Sequence, residues 1–173
     1  TVATDSAPLQ REVYMKPVHM IAAAVLVVVF ALSTAVAADP APNFALKGLD
    51  GKTIELKKLS GKVVVVNFWA TWCPPCRREI PGMMKVYDKY KAKGLEIVGI
   101  ALDQGGWDDV KPYLAKNKIT YPIVIGDQKL TEQYGGVEAI PTTFIVDRKG
   151  NIAAKHVGML LEEDFEKAVK AAL

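Results

Sequence analysis

Two cysteines stand three residues apart at Cys73 and Cys76, in the run Trp72-Cys73-Pro74-Pro75-Cys76. A cysteine pair so close in sequence closes too small a loop to staple a fold, so its use is chemical. Placed after an apolar strand and at the opening of a helix, Cys-x-x-Cys is a dithiol–disulfide couple. The attacking species is a thiolate, and unpaired N–H groups at a helix N-terminus stabilise it. Pro74 and Pro75 suit a first turn, where the missing donors are not needed. Arg77 and Arg78 add positive charge close by. Cys73, at an exposed turn before the helix, is the expected nucleophile. Cys76, one turn in, is the shielded resolving thiol that releases the reduced partner.

Other uses of the pair fit less well. Tetrahedral zinc needs about four ligands, and beyond residue 38 the only other soft donor of that kind is a distant His156. A covalent haem site requires His directly after the second Cys, where Arg77 stands. The pair could serve a copper-binding module as soft Cu(I) ligands, but Met83 and Met84 fall where a helix packs its core. A thiol peroxidase would want a Thr and Pro cradle, and Asn67 occupies the Pro place. The expectation is therefore no metal and no cofactor beyond the cysteine pair.

Elements that position the pair follow from periodicity. Residues 63–69 form a continuous run of strand formers, the pattern of a central strand covered on both faces. From Pro75 to about Lys93, apolar residues Ile80, Met83, Met84, Tyr87 and Tyr90 recur at helical spacing, with Pro81 inside and Gly94 at the end. Residues 96–102 give the next strand. A parallel, right-handed strand–helix–strand unit follows, with both carboxyl ends at one sheet edge. That edge brings residues 72–76 near residues 103–107.

A short hairpin is expected at 44–46 and 53–56 around Asp50-Gly51. Downstream lie a helix capped at Asp108, with Val110, Tyr113 and Leu114 inward, a strand at 123–125 and a helical turn at 130–134. Strands at 142–147 and 152–157 and a final helix with Leu161, Phe165, Ala168, Val169 and Ala172 on one stripe complete the chain. The order predicts an α/β domain with a mixed sheet.

Lys16, the apolar residues 21–32 and the Ala35-Val36-Ala37 ending have the three parts of a secretory signal. The 12-residue apolar run is short of the roughly 18 expected of a spanning helix. Continued through Ala38 it becomes a marginal membrane anchor. Residues 1–14 read as an upstream extension with Met15 the natural start, 15–38 as signal peptide or N-terminal anchor, and 39–173 as the folded domain. Export places the cysteines where disulfides form. The net charge of +3, with signs mixed along the 173 residues, excludes a nucleic-acid partner by lack of any basic block.

The segment 63–79, ending in Trp72-Cys73-Pro74-Pro75-Cys76-Arg77-Arg78-Glu79, resembles the active-site segment of the TlpA/ResA-like branch of the thioredoxin superfamily. Pro42-Asn43-Phe44, residues 59–62, Tyr134-Gly135-Gly136-Val137 and Ile140-Pro141-Thr142-Thr143 extend the likeness from residue 42 to the end of the chain. The resemblance implies a thioredoxin-like fold with an N-terminal β-hairpin extension. It also implies an exported or membrane-tethered protein, periplasmic or otherwise extracytoplasmic, that reduces disulfides of exported proteins, apocytochromes c among them. Electrons would come from a membrane-embedded thiol transporter. It further implies a cis Ile140–Pro141 bond facing the cysteines, a substrate-binding rim of Trp72, Pro74, Pro75, Ile140 and Pro141, and a Glu79 that tunes the thiols and relays protons. Ordinary thioredoxins carry a buried acid where this chain has Asn67, which leaves Glu79 the better proton acceptor. Trp69 is expected in the core and Trp72 as a partly exposed wall beside Cys73. Trp107 is either a partner surface or a loop anchor, and His156 carries no role.

Overall fold

The computed structural model describes residues 39–173; the signal or anchor reading of 15–38 and the extension 1–14 lie outside them. Among the described residues no helix is long and apolar enough to cross a membrane.

A five-stranded mixed sheet forms the centre: β3 (Val63–Trp69), β4 (Leu95–Ala101), β5 (Ile123–Ile125), β6 (Thr142–Val146) and β7 (Ile152–Val157), in the order β5-β4-β3-β6-β7. Before it, β1 (Ala45–Lys47) and β2 (Thr53–Glu55) pair antiparallel as a separate two-stranded sheet. β3 runs parallel to β4 and β4 to β5, whereas β6 is antiparallel to both β3 and β7. Every residue of β3 is buried, as its unbroken apolar run requires of a strand covered on two sides.

Alternation along β3 divides the core. Val63, Val65 and Trp69 pack with Ile80, Met83, Val86 and Tyr90 of α1 (Pro74–Tyr90), Val110 of α2 (Trp107–Asn117) and Phe165 and Val169 of α4 (Glu162–Ala172). Val64, Val66 and Phe68 pack on the other face with Phe44, Leu130 and Tyr134, Leu130 lying in α3 (Gln128–Gln133). Since side chains alternate with period two, Asn67 belongs to the α1 face. It is the one polar residue in the buried strand.

Several boundaries differ from the sequence expectation. Pro81, expected to kink the helix, lies inside α1, which stops at Tyr90 rather than near Lys93 and passes through a 3₁₀ turn to Gly94, whose φ of 96° takes the left-handed turn. α2 begins at Trp107 and not after a cap at Asp108. Gly106 holds the cap position at φ 56°, and the Asp109 carboxylate accepts from Gly105 N–H at 2.9 Å. The reason is that the acid one residue further on reaches back over the loop. Leu161 was expected inward but is the exposed N-cap of α4, at 58 % accessibility. Its extended backbone, at ψ 152°, takes it off the helical stripe.

Candidate active site

Cys73 caps α1. Its backbone is extended, its carbonyl accepts the first helical bond from Arg77 N–H at 3.1 Å, and its Sγ accepts from Cys76 N–H at 3.3 Å. No acidic residue occupies the first turn of α1, so nothing opposes the positive end of the helix dipole there. The two cysteines are joined as a disulfide, with Cα atoms 5.3 Å apart. Cys76 is wholly buried, and Cys73, expected at an exposed turn, keeps only 3 % of its surface. Its burial comes from the loop before β6: Cys73 Sγ lies 3.7 Å from the Ile140 carbonyl oxygen.

That loop contains the cis Ile140–Pro141 bond. The flanking carbonyls are engaged internally, Ala139 by the Thr142 hydroxyl at 2.7 Å and Pro141 by Gly158 N–H at 2.8 Å. Ile140 is thus the residue whose carbonyl is turned toward the disulfide. Around the pair, Trp72 stands 64 % exposed, Pro74 is exposed, Pro75 and Ile140 are half-buried, and Pro141 is buried. Of the residues expected to form a rim, Trp72 and Pro74 are exposed and Ile140 and Pro75 keep part of their surface, while Pro141 is buried.

Glu79 sits one turn beyond Cys76 and is 5 % exposed. Oε1 accepts from Asn67 Nδ2 at 2.9 Å and Oε2 from Leu160 N–H at 3.0 Å. Burial disfavours the charged carboxylate and outweighs these two hydrogen bonds, which favour it, so the pKa rises to about 7. Asn67 reaches this carboxyl because it lies on the α1 face of β3, and the same amide donates to Thr143 Oγ1 at 3.0 Å. Thr143 is its cross-strand partner in β6. Asn67 Oδ1 is buried and unpartnered.

A second buried acid escaped the sequence reading. Asp103, just past β4, accepts the Thr71 N–H at 3.1 Å with each oxygen and also bonds the Thr71 hydroxyl. It is 4 % exposed and ties down the turn that carries Trp72 and Cys73. The signal available was its place at the carboxyl end of a parallel strand beside that turn. Leu160 N–H was not detectable in advance, because backbone donors carry no residue signature.

Other residues fall outside the site. Trp69 is core, and Trp107, the first residue of α2, is half-buried against the α1-side core. Met83 is buried and Met84 packs against the same core. His156 is exposed on β7. Lys57, Lys58 and residues 162–164 are exposed.

The sequence model of the AhpC/TSA family matches residues 37–155. The thiol–disulfide oxidoreductase ResA of Bacillus anthracis is 43 % identical over 132 residues, covering 75 % of each chain. The chain belongs to the AhpC/TSA family, among ResA-type thiol–disulfide oxidoreductases. ResA of Halalkalibacterium halodurans is 37 % identical over 141 residues, covering 80 % of each chain. Among solved structures, a thioredoxin-family thiol:disulfide interchange protein of Chlorobium tepidum superposes with a TM-score of 0.72 at 38 % identity. The match covers 78 % of this chain and 96 % of that one. The fold is thus thioredoxin-like, and this ResA-type chain is a protein-disulfide oxidoreductase that carries the Cys73–Cys76 pair.

Proposed function

We propose that the chain reduces disulfides of extracytoplasmic proteins, apocytochrome c among them, and draws its electrons from a membrane thiol transporter. The observation that carries the reading is the pairing of a helix-capping Cys73, beside the Ile140 carbonyl, with a fully buried Cys76 behind it. The secretory pattern in residues 15–38 supports the location. No cofactor beyond the cysteine pair enters the reaction.

In the dithiol form, the Cys73 thiolate attacks one sulfur of the substrate disulfide. The substrate S–S bond breaks, its second sulfur leaves as a thiolate and takes up a proton, and a mixed disulfide to Cys73 forms. Cys76 then loses its proton and attacks Cys73 Sγ, releasing the first substrate sulfur as a thiol. Two electrons pass to the substrate and the Cys73–Cys76 disulfide is formed. Glu79, with a pKa of about 7, takes the Cys76 proton at neutral pH and gives it back when the pair is re-reduced. Trp72, Pro74 and the Ile140–Pro141 backbone hold the substrate strand.

The test is the reduction potential of Cys73–Cys76 in thiol–disulfide buffers. A value near or below about −220 mV supports a reductant, and one near about −120 mV makes the protein a disulfide donor. Absence of a reversible transition, with tight Cu(I) binding in its place, would favour a copper-binding module.

A further inference from the structure

The two sides of the disulfide rim differ in chemistry. On the β7 side, the segment after Val157 runs beside Pro141 and over Glu79, through the Gly158-to-Pro141 and Leu160-to-Glu79 hydrogen bonds. It leaves Val157 and Leu161 exposed, as Trp72 is exposed near Cys73. On the helix side, Pro74, Arg77, Arg78, Tyr113 and Asn117 line an open cleft of about 380 Å³ that begins one residue from Cys73. The Arg77 guanidinium lies over the Tyr113 ring, 5.8 Å from its centroid, which fixes a long side chain in place. Among the described residues, no ion pair involves Arg77 or Arg78. Both arginines are exposed and stand beside the reactive sulfur without a counter-ion among the described residues.

We infer that this cleft is a carboxylate-binding subsite, and that the protein prefers disulfide partners with an acidic residue close to the reactive cysteine. The inference builds on the disulfide-reductase reading and names the substrate class for it. Guanidinium groups bind carboxylates through paired, charge-assisted hydrogen bonds, while the Asn117 amide is engaged with the Tyr113 carbonyl at 2.8 Å and closes the far wall of the cleft. The occupant is a polypeptide and not a free anion, because the cleft starts at Pro74, next in the chain to Cys73, whose reaction partner is a protein disulfide. An extended chain lying there passes the disulfide and places a neighbouring side chain over Arg77 and Arg78.

The experiment uses the full chain in its dithiol form and three peptides with one intramolecular disulfide. They are identical except for Asp, Ser or Lys beside the reactive cysteine. Second-order reduction rates are compared as ratios within each protein, which cancels any change in Cys73 reactivity common to all peptides. The wild type should reduce the Asp peptide about tenfold faster than the Lys peptide at low ionic strength, and the ratio should fall with salt. In Arg77→Gln/Arg78→Gln the ratio should drop to about one. In Lys57→Gln/Lys149→Gln, which removes the same charge from the cleft at the opposite end of β3, it should persist. Equal rates for the three peptides with wild type, or an equal loss in both double variants, would overturn the subsite while leaving the reductase reading intact. Failure to reduce any of the peptides would count against the reductase reading itself.

Discussion

Asn67 donates from one amide nitrogen to both Glu79 Oε1, at 2.9 Å, and Thr143 Oγ1, at 3.0 Å. The amide links the central strand to α1 on one side and to β6 on the other. A neutral donor here leaves Glu79 the only buried acid on this face of β3 among the described residues. In Asn67→Asp two carboxyl groups would share one buried site, and like charges cannot both ionise there. The pair should titrate in two steps, with the upper midpoint above 7. Carboxyl NMR titration measures this, and a single unchanged midpoint would contradict the arrangement.

Stability should depend on pH through Glu79. Its ordinary pKa is 4.5 and burial raises it to about 7. The folded state therefore binds more protons than the unfolded one between those values, and stability falls as pH rises. The full contribution is present below pH 4.5 and is lost once pH passes about 7, a difference of roughly 3 kcal/mol. Glu79→Gln should flatten the curve of urea-unfolding free energy over this window. An equally steep curve in the variant would show that another group is responsible.

The clamp from Asp103 to Thr71 should matter to both fold and rate. Asp103→Ala leaves the Thr71 N–H and hydroxyl without their acceptor, at a cost of about 1–3 kcal/mol. Disulfide reduction should slow, because the turn before Cys73 is no longer held. Asp103→Asn, which retains one acceptor oxygen, should recover most of the stability. Chemical denaturation together with stopped-flow reduction separates the two effects.

The order of attack predicts different trapping by the two cysteine variants. Cys76→Ser should accumulate a mixed disulfide through Cys73, whereas Cys73→Ser should form little, since the remaining sulfur is buried. Intact-mass measurement after exposure to a peptide disulfide reads both. Comparable trapping by the two would reverse the assignment of nucleophile.

Gly99 is paired in register with Asn67. A Cβ there would press on the Ile123 Cδ1 methyl, which would have to move, and lie 3.0 Å from Trp69 Nε1. Gly99→Ala should cost about 1–3 kcal/mol by overpacking, visible as a lower denaturation midpoint. A neutral effect would mean that Ile123 can move aside freely.

The cysteine pair, the helix behind it and the buried strand ahead of it were legible because each depends on local pattern. Spacing, proline at the first turn and an unbroken apolar run specify them without long-range information. Glu79 and the cis Ile140–Pro141 bond were expected from the family resemblance, through the active-site segment and the separate Ile140-Pro141-Thr142-Thr143 motif. The misplaced residues lie at element ends: Asp108 lost the cap of α2 to Gly106, and Leu161 left the stripe of α4. Caps are decided by which nearby group reaches the loop, and composition does not contain that.

Sequence alone thus determined which sulfur chemistry the chain can perform and which strand and helix present it. Tertiary structure decided the environment of that chemistry. Residues 67, 79, 143 and 160 are brought together by sheet register and by the loop after β7, and their effect is physical: burial and hydrogen bonding set the proton affinity of Glu79. No side chain carries that value by itself, because it arises from the removal of water by residues distant in the chain.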